Sequence, residues 1–416
     1  MRDLLGIRGF RRFFLAQCAS MLGDSIFLVA LAFAVLEATG SAAKLGIVLA
    51  AGGVLLCVSF LVSGVWADRL PRLPIMITSD LVRLVSQLTL ALLLATDQTN
   101  LAWLIALYGI SAVATAFFMP ARTGLIPQLL KPELLMRGNG LLSGAQRTLS
   151  IAGFAGGGLL VAVAGPAGAI AIDATSFAAS ALLLIGIGPL TSVVVTKREP
   201  FLRELADGWH EVTARRWLWL IVLLASLWLL LCEGPLQVIG PVVMRGSYDG
   251  AATWGLLGAA LALGGVAGSL LAPSSRVPHA MVVCLVLFFA TAIVPVLLIF
   301  EAPLWTLLTT SVIAGTSHGM FDTLWHGTLQ RDVPADRLAR VSAWDWMGSL
   351  ALMPFGLALA GFAVEWVGTA PVLAAMAASG LVLNVVMLAS RDVRTLGAQP
   401  VQLARFATDR TGRIEP

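Results

Sequence analysis

The sequence predicts an all-α integral membrane protein of twelve transmembrane helices arranged as two six-helix halves. Composition gives the first reason. Of the 416 residues 58% are hydrophobic and 12% are charged, and mean hydropathy is +0.90, a balance far from that of a soluble domain. Segment length gives the second. Apolar runs lie near 12–36, 45–66, 74–95, 101–121, 140–163, 167–189, 217–241, 252–272, 280–300, 304–326, 343–365 and 370–389. Each is about 20 residues long, enough for a helix to cross hydrocarbon, and none shows the alternating polarity of barrel strands. An internal repeat gives the third. Residues 128–139, QLLKPELLMRGN, are matched about 202 residues later by residues 330–342, QRDVPADRLARVS. Both stretches run from Gln to Pro, then Leu, then Arg just before an apolar run, and two halves related in this way enclose a cavity between them.

Taken in order, the chain opens with a basic arm carrying Arg2, Arg8, Arg11 and Arg12. The first apolar run is too long for a signal-peptide core and no small-residue cleavage site follows it, so the start is expected to be retained. With the N-terminus inside, 23 of the 27 Lys and Arg fall on the inner side and two, Lys44 and Arg245, on the outer side. That asymmetry puts both termini on the cytoplasmic side of the membrane. Topology also explains the pI near 9.2, so nucleic acid is not expected as a partner. Cys18, Cys57, Cys232 and Cys284 are scattered through apolar runs, which argues for packing and against a disulfide framework or a metal site. The expected organisation is a first half over 1–190, a cytoplasmic linker over 191–216, a second half over 217–390 and a disordered polar tail over 391–416. In the linker, Leu202, Leu205, Trp209 and Val212 share one helical face, as in a helix lying on the inner membrane surface.

Between the second and third runs, residues 64–72 read GVWADRLPR. An acid and two arginines between segments that lie in hydrocarbon belong at the interface or with partners. The stretch resembles the loop between the second and third helices of the major facilitator superfamily. That family's pattern of Gly, Ala-Asp-Arg, Gly and two basic residues is kept at Gly64, Ala67, Asp68, Arg69 and Arg72, and departed from at Pro71 and Leu73. Within the family the chain resembles bacterial exporters of the macrolide-efflux and enterobactin-exporter kind. The stretches that carry this are FRRFFLAQCASMLGDSIFLVAL in the first run, FFMPARTGLIPQLLKPELL after the fourth and AIDATSF in the sixth. In the fifth run, residues 153–158 read GFAGGG, with Phe154 where drug antiporters of the family often carry Pro. The resemblance implies the major facilitator fold and alternating access. The expected partners are a small-molecule substrate, protons and the lipid bilayer, and the expected state is a monomer with no cofactor.

Ionisable residues inside apolar runs mark where chemistry happens, because each costs free energy unless it meets partners or water. Gln17, Ser20 and Asp24 share one face of the first run, with Asp24 near mid-membrane. A carboxyl there either exchanges a proton with a wet cavity or serves as a structural polar contact. His318, Asp322, Trp325 and His326 form one stripe on the tenth run. The stripe fits substrate or proton contact at a cavity wall, or pairing within the helix; as a metal site it lacks a further ligand nearby in sequence. In the seventh run Glu233, a further candidate for proton coupling, and Gln237, a candidate for cavity or substrate contact, stand one turn apart, with Pro235 between them as a point where the helix can break and form a flexible gate. Asp80, Arg83, Arg122, Arg147 and Asp345 lie toward the cytoplasm and suit gate contacts, together with Gly64, Asp68, Arg69 and Arg72, better than substrate binding.

No GxxxxGK[ST] phosphate loop and no nucleophile motif occurs in the sequence, so neither an ATP-driven pump nor an enzyme is indicated. The expected function is proton-coupled export of a small amphipathic compound: a drug, antibiotic, siderophore or similar metabolite. An importer or lipid flippase of the same fold is the alternative. A non-transporting sensor would need a sizeable output domain, and the longest polar connection is the 26 residues of 191–216. The eleventh run begins at the cytoplasmic side near Ser342, where a helix N-terminus offers Asp68 a contact worth about 0.3–1 kcal/mol when exposed. Asp68→Asn is therefore expected to leave expression intact and to cut transport sharply. Undiminished transport in vesicles holding equal protein would remove Asp68 from the gate.

Overall fold

The computed structural model describes residues 2–67, 70–188, 210, 212–272 and 280–394, and its regular elements are all helices. A short α1 (Arg2–Gly6) leads into α2 (Arg8–Thr39), α3 (Ala42–Ala67), α4 (Arg72–Ala95), α5 (Leu101–Leu129) and α6 (Pro132–Ile185). A second series holds α7 (Arg216–Ser247), α8 (Ala251–Leu271), α9 (Ala280–Ile299), α10 (Leu304–Asp332), α11 (Ala335–Leu350), α12 (Met353–Val367), α13 (Thr369–Ala389) and α14 (Arg391–Arg394). Among the described residues ten helical stretches are long and apolar enough to cross a membrane, against the twelve runs expected. Two features account for the difference. α6 is 54 residues long and is two helices meeting at Gly165, whose φ of 71° is one that glycine adopts without strain. α10, rich in Thr and Ser and carrying His318, Asp322 and His326, is too polar to be among the ten.

The repeat seen in the sequence falls on two equivalent joints. Leu130 (φ −123°, ψ 144°) and Lys131 (φ −66°, ψ 153°) separate α5 from α6, and Val333 (φ −106°, ψ 127°) and Pro334 (φ −54°, ψ 141°) separate α10 from α11. In each, two extended residues end one helix. Proline then starts or caps the next, where its missing N–H costs nothing.

Within the first half α2 packs on α6, and α4 packs on α5 and α6; in the second, α8 packs on α10 and α9 on α13. The halves meet along α6 with α8 and along α3 with α12. Small residues make these seams possible. A Cβ at Gly158 would fall on the Ala251 carbonyl, and one at Gly46 on the Leu357 carbonyl, so the backbones touch directly.

Apolar packing differs between the two ends of the molecule. Where α2 finishes and α3 starts, one cluster joins both halves, taking Leu31, Val35 and Leu45 from the first and Val238, Met244 and Leu357 from the second. At the other end, which carries α1 and α14, each half keeps its own cluster. Phe10, Phe13, Met76 and Leu125 pack in the first half; Leu218, Met281 and Val341 pack in the second. The halves are sealed together at one end and separately packed at the other.

Leu202, Leu205 and Trp209 of the expected surface helix lie outside the described residues, as do Asp68, Arg69 and residues 395–416. Val212, the last member of that face, is buried against the second half. The tail expected to be disordered from 391 instead begins as a helical turn. Asp392 pairs with Arg216 at 3.6 Å and Val393 is buried, which ties α14 to the start of α7.

The seam between α8 and α10 sets a steric limit, since a Cβ at Gly315 would meet the Leu261 carbonyl, which cannot swing aside. Gly315→Val is expected to force the helices apart and to destabilise the protein by about 1–3 kcal/mol. The readout is a lower thermal midpoint and a smaller monodisperse fraction in detergent; an unchanged midpoint would show that the seam tolerates bulk.

Candidate functional site

The first half holds a buried ionic cluster drawn from four helices. Arg83 of α4 pairs with Asp80 one turn earlier, and Asp80 accepts from Ser180 Oγ on α6 at 2.7 Å. The guanidinium sits between the Phe118 and Phe177 rings, 4.4 and 4.2 Å from their centroids. Such enclosure fits a planar cation: the carboxylate offsets its charge and the ring faces cover its flat sides. Asp24 of α2 stands 3.8 Å from Arg83 and, unlike it, is 53% exposed. Ser20 supports the Asp24 carboxyl, and Arg122 contributes a second positive field. Asp24 is thus where the buried cluster reaches open space.

Asp173 of α6 completes the group and was not singled out from the sequence. It is fully buried, accepts from Ser176 Oγ at 3.1 Å, lies beside the Gln87 side chain and keeps one oxygen without a partner. A Cβ at Gly23 would overlap its carboxyl, so α2 and α6 touch at this point. The signal was available: Asp173 is an acid inside an apolar run, as Asp24 is, and lies within AIDATSF.

Several expected site residues face elsewhere. Gln17 and Ser20 are buried within the first half and do not share Asp24's exposure, because α6 covers that side of α2. Asp80 and Arg83 do pair, but deep inside one half instead of at an interface. Arg72 donates to the Gly124 carbonyl, a contact within the same half, and Gly64 lies near the end of α3.

A cavity of about 180 Å³ lies between the halves beneath their shared apolar seal. Phe154, Trp228 and Trp254 supply aromatic wall, and Glu233, Gln237 and His318 supply polar groups. The break expected at Pro235 takes the form of a π turn over Leu229–Glu233, a feature that recurs at functional positions of helices. The Gln237 amide donates to Glu233 Oε1 at 3.2 Å. His318 packs edge-on against Trp228 and Phe288, with centroids 5.0 and 5.1 Å away.

The stripe expected on α10 divides among three environments, because at about 100° wide its edges meet different neighbours. His318 lines the cavity. Asp322 accepts from Arg147 of α6 at 3.2 Å, a bond across the halves, and pairs with His326 at 3.2 Å. Trp325 is buried and donates its indole N–H to Asp345 at 3.0 Å, so Trp325 belongs to the second half's core and not to a cavity wall. Asp345 is correspondingly held inside that half. Arg147 belongs with Asp322 instead of with the loop arginines. Among the described residues no group of three His, Cys, Asp or Glu is placed to hold a metal.

Removing one partner of a buried pair strands the other charge, at about 3–5 kcal/mol. Arg83→Met is expected to lower the thermal midpoint in detergent, and adding Asp80→Asn is expected to recover part of the loss. Equal midpoints for wild type and Arg83→Met would show that the pair does not hold the first half together.

The model of the Major Facilitator Superfamily matches residues 13–347. Multidrug efflux pump Tap of Mycolicibacterium fortuitum is 28% identical over 394 residues, covering 90% of this chain and 93% of that protein. Macrolide efflux protein A of Streptococcus pyogenes is 25% identical over 236 residues, 56% of this chain and 58% of that protein. Among solved structures, a mutant of the nucleoside transporter NupG superposes with a TM-score of 0.71 at 13% identity, covering 90% of this chain and 98% of that one. A bacterial homologue of iron transporter ferroportin in an inward-facing state gives 0.69 at 17% identity, over 92% and 98%. At those identities the likeness to solved structures is one of fold. With a family model spanning most of the chain and a helical architecture to match, this protein belongs to the Major Facilitator Superfamily of membrane transporters.

Proposed function

We propose that this protein is a proton-coupled antiporter that exports a small amphipathic compound from the cytoplasm, with both termini on the cytoplasmic side of a bacterial inner membrane. The similarity to multidrug efflux pump Tap, along nearly the whole chain, supports export. The observation that carries proton coupling is Asp24, half exposed at the edge of a buried cluster. That cluster gathers three carboxyls, Asp24, Asp80 and Asp173, around two guanidinium groups, Arg83 and Arg122. A low-dielectric interior does not tolerate an excess of like charge, so one carboxyl keeps a proton when water is excluded.

Asp24 is the member whose surroundings change most as the halves move. With the α1 and α14 end open, water reaches its carboxyl, and Arg83 holds the ionised form. With that end closed the carboxyl is enclosed and takes a proton admitted from outside. Proton release into the cytoplasm then alternates with loading of cargo, and each return of the empty carrier brings one proton inward. The linker over 191–216 serves to keep the two halves, 1–190 and 217–390, on one chain.

Asn at position 24 keeps the size of the side chain and loses its titration. Asp24→Asn is expected to abolish uphill efflux driven by a pH gradient while leaving downhill exchange at least partly intact. Proteoliposomes assayed with and without an imposed gradient give the answer, using a compound first identified by a susceptibility panel in a strain lacking its own pumps. If Asp24→Asn still concentrates that compound under the gradient, the coupling proton lies elsewhere, and Asp322 with His326 becomes the next site.

A further inference from the structure

The cavity between the halves has a chemistry of its own, separate from the Asp24 cluster. Glu233 is the acid that lines it, and among the described residues no basic side chain lines it with Glu233 except the neutral-capable His318, which sits in the wall between Trp228 and Phe288. The hydrogen bond that Glu233 accepts comes from the uncharged Gln237 amide. Arg83 is engaged with Asp80 and Asp24 and Arg147 with Asp322, and Arg122 stands in the field of Asp24; none of the three lines this cavity. A carboxyl in an apolar site with no cation of its own either keeps a proton or takes a cation from outside, because its charge costs too much unpaired.

Two further features bear on the same point. The π turn over Leu229–Glu233 places one extra residue in the helix just before Pro235. Without it, Glu233 would be turned by about 100° relative to the preceding turns, away from the cavity. The aromatic surface around the acid is also large for so small a space, with Trp228, Trp254 and Phe154 all on its wall. Aromatic faces beside a carboxylate suit an organic cation better than a hydrated metal ion, which the rings cannot dehydrate.

We infer that this cavity binds a singly charged organic ammonium with an apolar or aromatic body, Glu233 supplying the counter-charge and the Trp228 and Trp254 rings the walls. The inference rests on the export reading above and names the class of its cargo. One carboxylate selects one positive charge; to an anion the lining offers the His318 imidazole and no Lys or Arg. The volume of about 180 Å³ is below the roughly 300–1,000 Å³ of sites that enclose drug-sized ligands. The cavity therefore takes a small cation, or the cationic end of a longer molecule whose remainder extends toward the open end.

The test uses an isosteric pair, phenyltrimethylammonium and tert-butylbenzene, which share a shape and differ in charge. Binding is measured on the full-length protein purified in detergent. Wild type is expected to bind the cation at least about tenfold more tightly than the neutral compound. Glu233→Gln is expected to lose about tenfold or more of the cation's affinity and to leave that of tert-butylbenzene unchanged. A second measurement needs no variant: in wild type the cation, and not tert-butylbenzene, is expected to slow carbodiimide labelling of Glu233, read by mass spectrometry. Equal binding of both ligands, unchanged cation affinity in Glu233→Gln, or labelling that the cation does not slow would each overturn the inference. Cation binding at Glu233 without pH-driven transport would support the site and count against the export reading. Export of neutral compounds alone, with no cation binding, would overturn the site and leave that reading in place.

Discussion

A guanidinium withdrawn from water governs the layout of the first half. Transfer of an ion out of water costs several kcal/mol even after relaxation, and only good geometry on every side offsets it. Arg83 obtains that geometry from four helices: Asp80 beside it on α4, Asp24 on α2, Phe118 on α5 and Phe177 on α6. Ser180 then satisfies the far oxygen of Asp80. Because each partner comes from a different helix, the charge fixes how the helices sit relative to one another in a way that apolar contact, being non-directional, does not. Among the described residues the second half has no buried guanidinium of this kind. Its buried polar contacts are single bonds between helices, as when Trp325 donates to Asp345 at 3.0 Å, the Asn384 amide to the Phe288 carbonyl at 3.1 Å or the Cys284 thiol to the Ser317 carbonyl at 3.3 Å. Charge is concentrated in one half and the aromatic cavity wall largely in the other.

The contacts between the halves divide in the same unequal manner. At the sealed end they are mainly apolar, with a few bonds to helix ends: Ser41 donates to Glu365 at 2.5 Å, the Ala43 amide donates to the same carboxylate at 3.1 Å, and Arg245 donates to the Leu36 carbonyl at 2.6 Å. Nearer the other end Arg147 crosses to Asp322, in a pair exposed enough to be worth about 0–1 kcal/mol. Neither set is strong in any one bond. A carrier that alternates between two states needs contacts of this kind, since a seal worth many kcal/mol more than its counterpart would hold the protein in one state.

Much of this was legible in the sequence, and what was not has a physical reason. Segment length and composition predicted the helices, and the Gln-to-Pro repeat marked two joints with similar backbone angles. Asp24 and the Asp80–Arg83 pair could be read because an ionisable residue in an apolar run is costly and because i and i+3 are neighbours on a helix. The same rule applied to Asp173 would have found it. Periodicity failed where the partner comes from elsewhere in the chain. Arg147 and Asp322 lie 175 residues apart, and the placement of Trp325 depends on Asp345 of a different helix. In helices apolar almost all round, the pattern gives no face to orient, so Gln17 and Ser20 could not be told from Asp24 until α6 was seen to cover them.

The charged cluster and the cavity are joined through two helices that take part in both. Leu28 lines the cavity and lies one turn beyond Asp24 on the same face of α2. On α6, Phe154 forms cavity wall, and Gly153 lies so close to α2 that a Cβ there would overlap Ser25. Gly157 approaches the Ile26 backbone in the same way, and Asp173 lies against Gly23. With no side chains between them at these points the two helices are in direct contact, and a packed interior transmits small displacements instead of absorbing them. A shift of α2 at Asp24 would therefore be felt at Leu28 and Phe154, both on the wall of the cavity that Glu233 lines. Under the proposed coupling, backbone contact between α2 and α6 is the route by which a proton at Asp24 would act on the cavity wall, with no chain of polar side chains required between them.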